Sequence, residues 1–314
     1  MCAAGISGRQ IFNLTISDLA EENTIETLTE FIHKTWTIFG VSVLFNFHQD
    51  EVHLKQYASR LREEVASTSA QEDVTYSTEF CVLEHITPRP SSLDPPPVQI
   101  IVYAENSNKK ENHKCIYKGV LLSWRNNRKN ILTFSNSVRL PLLLCRGGKN
   151  ITQIVHNVLS RMFDCMFMTL PAREDDLLWL VPIVISPIGE GNQPKSTHEI
   201  SLHYKIPELE TDDGITVTFP VLDLVKILEE IMKDQDDEGS EVSFKADHIE
   251  KFREVLYVQM LKVASLQLGF CTLWKITLPA ITIVENRMKV MNTNIMNRVL
   301  LYLNEKALDI LHTI

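Results

Sequence analysis

The spacing of apolar residues along this chain changes several times, and each change predicts an element. Ile25, Leu28, Phe31, Ile32, Trp36 and Phe39 recur at three- and four-residue steps, with Gly40 as a stop. That spacing predicts a helix over 25–39. Asp50 is an N-cap residue, and the stripe Leu54, Tyr57, Ala58, Leu61 and Val65 predicts a second helix after it. The period then drops to two: Val74, Tyr76, Phe80, Val82 and Ile86 alternate with mostly polar residues, as in a half-buried strand. Pro88 to Pro97 reads as a connecting loop. Strand-like runs follow at Val98–Tyr103, Cys115–Trp124, Asn130–Phe134 and Val138–Cys145, spaced as an antiparallel meander.

Gly147-Gly148 ends the meander. Val155, Val158, Leu159, Met162, Phe163, Met166, Phe167 and Leu170 then form one continuous helical stripe that stops at Pro171. Leu177–Ser186 is apolar on both faces and predicts a central strand. The Pro/Gly-rich segment Pro187–Pro194 is the expected boundary between two lobes, 12–187 and 195–314. Beyond it, His198–Ile206 and Ile215–Phe219 read as strands. Val221–Lys233 and Ile249–Leu266 read as helices, the latter through Phe252, Val255, Leu256, Met260 and Val263. Asp234–Glu241 is an acidic loop. Leu268–Val284 is a long strand-prone run interrupted by Pro279, Arg287–Met291 pairs with it, and Met296–Leu311 closes the chain as a helix. The fold class expected is α+β, a mainly antiparallel sheet flanked by helices in two lobes.

Charge adds a feature that the periodicity does not show. The 314 residues hold 31 Lys+Arg against 40 Asp+Glu, a net charge of −9. Between Glu105 and Asn150, however, stand ten basic residues: Lys109, Lys110, Lys114, Lys118, Arg125, Arg128, Lys129, Arg139, Arg146 and Lys149. Only Glu105 and Glu111 oppose them, leaving +8 locally and −17 elsewhere. Such an asymmetry suits one face for a polyanion and another for different partners, unless the fold scatters the charges.

Apolar residues make up 44% and charged residues 23%, enough for a sizeable core. No apolar run approaches the ~20 residues of a membrane helix. The opening MCAAGISGRQIF lacks a basic stretch followed by an apolar core, so no secretory signal is expected there. Six cysteines lie far apart, mostly in apolar runs, and are expected to be reduced, buried thiols of the cytosol or nucleus. On that reading the sequons at Asn13 and Asn150 are chance matches.

Arg146-Gly147-Gly148-Lys149 precedes a helix but lacks the spacing of a phosphate loop. A tight turn is the simpler reading, although the helix N-terminus suits a backbone phosphate. His198 with His203, and His48 with His53, are spaced i, i+5. A zinc helix wants i, i+4 and a third ligand, and on a strand the i, i+5 spacing puts the rings on opposite faces. The chain has no nucleophile elbow, zinc-protease motif or Cys-x-x-Cys. No catalytic residue, metal, cofactor or small-molecule substrate is expected.

Phe31-Ile-His-Lys-Thr-Trp-Thr-Ile-Phe39, continuing through Val43–Phe47 to Gln56–Leu61, resembles the N-terminal region of the centromere protein L family. Further likenesses are Leu140-Pro-Leu-Leu-Leu144, the helix from Thr152 with Phe163-Asp-Cys165 and Leu170-Pro171, and the strand ending Tyr204-Lys-Ile-Pro207. The closing helix–strand–strand–helix order fits as well. The resemblance implies a non-enzymatic subunit of the inner kinetochore with a curved antiparallel sheet, at the centromere in the nucleus. It implies a heterodimer with centromere protein N, contacts with other inner-kinetochore subunits, and DNA of the centromeric nucleosome close by. Other classes stay open: a cytosolic interaction adaptor, or an enzyme with an unrecognised site.

Two sets of site residues are expected. Leu268–Val284 and Arg287–Met291 form an antiparallel pair near an edge used for heterodimer assembly, with Ile276, Leu278, Ile281 and Ile283 as partner-binding candidates. Trp124–Asn130 is polar and turn-rich and is expected to project from a hairpin. Its Arg125, Arg128 and Lys129, with Arg146 and Lys149, are the DNA-backbone candidates, holding phosphates without reading bases.

Overall fold

The computed structural model describes residues 14–16, 28–69, 73–84, 86, 94–106, 113–125, 136–186, 198–207, 214–233 and 242–312. In chain order the strands are β1 (Leu14–Ile16), β2 (Thr35–Val41), β3 (Leu44–Phe45), β4 (Val74–Val82), β5 (Val98–Asn106), β6 (Lys114–Leu122), β7 (Ser137–Val138), β8 (Leu142–Gly147), β9 (Phe167–Thr169), β10 (Glu199–Lys205), β11 (Gly214–Pro220), β12 (Val242–Phe244), β13 (Thr272–Leu278), β14 (Ile281–Val284) and β15 (Arg287–Val290). The α-helices are α1 (Glu51–Ser69), α2 (Lys149–Phe163), α3 (Glu174–Ile185), α4 (Val221–Met232), α5 (Ala246–Ala264) and α6 (Thr293–His312). The α+β class expected from the sequence is the one observed. The strand expected at Asn130–Phe134 lies outside the described residues.

Two compact units divide the chain: residues 21–171 with 283–314, and residues 172–282 with 1–20. Both are discontinuous in sequence, whereas the lobes expected at 12–187 and 195–314 are continuous. The physical reason is that the chain's end returns to its first half: β15 pairs antiparallel with β2, Met288 opposite Trp36.

In the unit built from 21–171 and 283–314, the antiparallel strand order is β15-β2-β8-β6-β5-β4, with β9 also beside β2. β2 takes the last five residues, 35–39, of the helix expected over 25–39, and Leu28–Glu30 form a 3-10 turn; residues 25–27 lie outside the described residues. Trp36, Ile38 and Gly40 are buried at every second position of β2, and the run is β-branched and aromatic. Such residues fit a pleated surface, and Trp36–Phe39 satisfied both periods in the sequence. The helix expected after Asp50 forms as α1: the His53 N–H donates to Asp50 Oδ1 at 3.1 Å, and Leu54, Leu61 and Val65 are buried. On one sheet face, α1 and α2 pack against Phe80, Ile100, Val102, Tyr117, Leu121 and Leu143. From the opposite face α6 packs on β2, β8 and β15.

α2 is shorter than the stripe to Leu170 suggested. Asp164 takes a left-handed backbone (φ 44°) and its N–H bonds the Ser160 carbonyl, which ends the helix at Phe163. Phe167–Thr169 then form β9.

The unit built mainly from 172–282 has the strand order β11-β10-β13-β14. β1 pairs separately with β12. Here the run expected as a central strand, Leu177–Ser186, is helix α3, which packs on β13. An apolar run cannot by itself separate a buried strand from a buried helix. The deciding signal is the acidic start, Glu174-Asp175-Asp176, since carboxylates favour a helix N-terminus. Asp176 Oδ2 accepts the Arg173 N–H at 2.7 Å. α5 buries Ile249, Phe252, Leu256 and Met260, while Val255 and Val263, assigned to the same stripe from the sequence, point outward.

In its own unit β13 has β10 on one side and β14 on the other, and in the other unit β15 pairs with β2. β13 is therefore an interior strand and not the edge expected for this segment. Neighbours on both sides of β13 remove the exposed-edge argument that motivated the expectation there.

Candidate nucleic-acid and partner interface

Arg146 ends β8 and Lys149 opens α2, and both are exposed. The turn between them is tight: a Cβ on Gly147 would stand 3.0 Å from the Ile116 carbonyl oxygen and 3.2 Å from Thr152 Oγ1. Gly148 is the extended N-cap, its carbonyl accepting the Thr152 N–H at 3.0 Å. The first turn of α2 holds no acid, so the positive end of the helix dipole is not neutralised by its own side chains.

Strand register adds further cations. Lys118 on β6 stands directly across from Arg146. Lys118 Nζ lies 3.4 Å from Glu30 Oε2, and Lys34 Nζ donates to the Glu30 carbonyl at 2.7 Å. Burial, then the Lys118 charge, pull the Lys34 ammonium below its ordinary pKa; Glu30 opposes this and Arg146 adds to it. Arg146 also lies 5.9 Å from the centroid of the buried Trp36 ring. A bulge at Ile116 changes the parity of β6, setting Lys114 opposite Ala104 and in line with Tyr76. Lys114 and Lys149 then line one open groove of about 870 Å³ at the start of α2. The basic end of this sheet thus comprises Lys34, Lys118 and Arg146 on one face and Lys114 and Lys149 on the other. Sequence reasoning missed Lys34, Lys114 and Lys118 as members, because register and bulge carry the grouping.

Arg125 is elsewhere. Its guanidinium is ion-paired with Asp94, whose side chain is fully buried, and its backbone N–H bonds Asp94 Oδ2 at 3.3 Å. The neighbouring Trp124 is 1% exposed; its N–H and Nε1–H donate to Asn304 and Asn297 of α6, each at 2.8 Å. Trp124 therefore staples the sheet to α6, and Arg125 is tied to Asp94 ahead of β5, instead of both projecting from a hairpin. Arg128 and Lys129 lie outside the described residues.

The four apolar candidates are buried within the chain: Ile276, Leu278, Ile281 and Ile283 are 0%, 8%, 1% and 1% exposed. The opposite face of β13 carries half-exposed Trp274, Lys275 and Thr277. Lys205 Nζ sits 4.5 Å from the Trp274 ring centroid. His203 contacts Thr216 Oγ1 at 3.0 Å and Thr277 Oγ1 at 3.4 Å, and burial followed by the Lys275 charge lowers its pKa.

His156 is the most perturbed histidine described. Desolvation pulls it down to about 4, and it sits between Phe39 and Phe167 with Nε2 3.3 Å from the Tyr117 hydroxyl. Cys145 and Cys165 are buried, each pushed up to about 12 by desolvation. Cys115, however, is exposed and Cys81 and Cys271 are half-buried, so the expectation of uniformly buried thiols is corrected. Alternation on β6 and a bulged residue explain why Cys115 faces out. The His48 and His53 rings do meet, 4.5 Å apart, and His53 Nδ1 lies 2.6 Å from Asp50 Oδ2. Among the described residues no group of three His, Cys, Asp or Glu side chains is placed to hold a metal. No described helix is long and apolar enough to cross a membrane.

Fold and surface together describe an α+β protein built around an antiparallel sheet with a basic end. The chain belongs to the centromere protein L family, whose family model matches residues 30–308. Centromere protein L of Xenopus tropicalis is 22% identical over 288 residues, spanning 88% of this chain and 79% of the frog protein. Centromere protein L of Mus musculus is 22% identical over 171 residues, 52% of this chain and 51% of the mouse protein. The segments that carry the resemblance in the sequence fall inside the family match.

Proposed function

We propose that this chain is a non-enzymatic structural subunit of the inner kinetochore, acting at centromeric chromatin in the nucleus as a heterodimer with centromere protein N. Its role in that reading is to help hold the centromeric nucleosome and its DNA together with other inner-kinetochore subunits. Family membership supports the centromeric setting. The observation that carries the DNA contact is the basic end of the sheet, where Lys118 and Arg146 are paired by register and Lys114 and Lys149 share a groove. Arg146 and Lys149 stay in the DNA-backbone set, with Arg128 and Lys129 as further members; Arg125 leaves it, since Asp94 holds it inside. Partner contact by the β13 segment uses its outward residues Trp274, Lys275 and Thr277, because Ile276, Leu278, Ile281 and Ile283 serve the core.

The test is charge reversal of Arg128, Lys129, Arg146 and Lys149, measured as the heterodimer with centromere protein N on short duplex DNA. Each phosphate that is no longer neutralised lowers the log–log salt slope by about 0.9. The expected result is weaker binding with a shallower slope and no change in base preference. Unchanged affinity and slope would remove the DNA reading. A stable complex with centromere protein N and paired chromosomal foci of a tagged copy in mitotic cells test the remainder.

A further inference from the structure

The open groove at the start of α2 holds hydroxyl groups as well as cations. Thr68 and Ser69, the last two residues of α1, line it beside Lys114, Lys149 and Asn150. Thr68 is exposed and Ser69 half-buried. Among the described residues that line the groove there is no Asp or Glu, and neither lysine is ion-paired with a described residue. In the sequence Ser69 is followed by Ala70-Gln71-Glu72-Asp73, which puts carboxylates three and four residues beyond it. Acid-directed serine kinases select that pattern, because cations beside their catalytic cleft pair with carboxylates just past the acceptor. Ser67 and Thr68 have Ala70 and Gln71 at the third position instead. Ser69 also closes α1, and the last turn of a helix opens at little cost to present its backbone to an enzyme.

We propose that Ser69 is a phosphorylation site whose phosphate occupies the groove beside Lys114 and Lys149 and displaces duplex DNA from that face. The inference rests on the DNA-backbone reading of this groove and names its regulation. The Ser69 hydroxyl oxygen attacks the γ-phosphorus of ATP, the bond from that phosphorus to the β–γ bridging oxygen breaks, ADP leaves, and the hydroxyl proton passes to the kinase's base. The product carries about −1.5 to −2 charges at pH 7 and three acceptor oxygens. Two helix ends act on it in opposite senses. The C-terminus of α1 repels an anion, and the N-terminus of α2, with no acid in its first turn, attracts one. These effects are of similar size, so the two ammonium groups decide the sign. The bulge at Ile116 turns Lys114 to this side, and Lys149 is the first residue of α2. The acids in the preceding turns of α1 are Glu63 and Glu64, and Glu64 is engaged by Arg161 at 2.9 Å. Asp73 is exposed and does not line the groove. A dianion at Ser69 therefore offsets both lysines, whereas Lys118 and Arg146 on the opposite face keep their charge.

The experiment has three arms. The full chain is incubated with an acid-directed serine kinase and labelled ATP; mass spectrometry of the digest is expected to place the label on Ser69, and Ser69→Ala abolishes it. The full chain with phosphoserine genetically encoded at position 69 is then titrated by phosphorus NMR. Beside the two lysines the second phosphate pKa falls below its ordinary value of about 6, and Lys114→Ala with Lys149→Ala returns it there. As the heterodimer with centromere protein N, the phosphorylated chain is expected to bind short duplex DNA about tenfold more weakly at 0.1 M salt, with a log–log slope shallower by at most about 1.8, the share of two cations. Label that survives Ser69→Ala, a phosphate pKa at or above its ordinary value, or unchanged DNA binding overturns the proposal. Lys114→Glu with Lys149→Glu separates this inference from the reading beneath it. If that variant keeps its DNA affinity, the groove is no DNA contact and both fall; if it loses affinity while the phosphorylated chain does not, only the phosphorylation switch falls.

Discussion

Replacing Asp94 by alanine leaves the Arg125 guanidinium inside the protein without its carboxylate. Asp94 is 2% and Arg125 9% exposed, so water does not screen the pair as it would at the surface. Removing one partner of such a pair costs about 3–5 kcal/mol, chiefly the penalty of an uncompensated buried charge. For a unit of this size that is a fall in melting temperature of roughly 6–20 °C. Arg125→Ala should be milder, because Asp94 keeps the backbone N–H of residue 125 as a donor. The double replacement Asp94→Leu with Arg125→Met should recover most of the loss, since apolar residues of similar volume often substitute for a buried pair without penalty. Differential scanning calorimetry of the full chain, with urea midpoints as a second readout, measures all three. If Asp94→Ala moves stability by less than about 1 kcal/mol, the pair is solvated. Arg125 would then return to the set of side chains available to phosphate.

Three other outcomes follow from the site geometry. His156 is pulled from its ordinary value to about 4 by burial, so the unfolded chain binds the extra proton between pH 6.5 and 4. Its contribution to stability is present above pH 6.5 and fades by about 3 kcal/mol as pH falls to 4, a slope that His156→Phe should flatten in urea titrations. Among the described thiols, Cys115 should react first with iodoacetamide at pH 7.5, while Cys145 and Cys165, pushed up to about 12, should stay unmodified until the chain unfolds; mass spectrometry of the digest reads the order. Glu30→Gln removes the carboxylate beside Lys34 and Lys118 and should strengthen duplex binding by the heterodimer, steepening the salt slope by at most about 0.9; a weaker or unchanged complex would count against the basic end as the contact.

Much of the fold was legible because each element had a strong local signal. The N-cap at Asp50 with its stripe and the alternation at Val74–Val82 correspond to observed elements, and the closing helix–strand–strand–helix order is found with three strands in place of two, the run broken at Pro279 giving β13 and β14. The failures share a cause: tertiary context decided between two periods that the residues satisfied equally. Trp36 and Phe39 suit a helix turn, yet pairing with β15 and β8 makes their segment a strand. Leu177–Ile185 is apolar on every side because it is enclosed, which makes a strand and a helix look alike. The surface site was legible as charge but not as geometry. No spacing in the sequence pairs Lys118 with Arg146, since that contact is a property of antiparallel register. Likewise Val255 and Val263 joined the core stripe of α5 on periodicity, and only the position of neighbouring elements turns them outward.

The fate of the basic segment shows why linear charge is a poor guide to a surface. In a strand, a displacement of one residue moves a side chain to the other face, so a single bulge is enough to divide a cluster or to create one. The bulge at Ile116 does the second: it turns Lys114 toward the start of α2, where Lys149 already stands, and leaves Lys118 with Arg146 and Lys34 on the opposite face. Arg125 follows the other course, drawn inward by a carboxylate 31 residues away in sequence. Lys34 joins although it lies far outside the segment that suggested the site. Long-range attraction depends on the sum of these charges at one end of the sheet, whereas each contact with a phosphate depends on which face its side chain occupies. Reversals confined to Lys118 and Arg146, compared with reversals confined to Lys114 and Lys149, therefore separate the two faces. A duplex lying across one face loses affinity in only one of these variants, and a duplex lying across the sheet's end loses it in both.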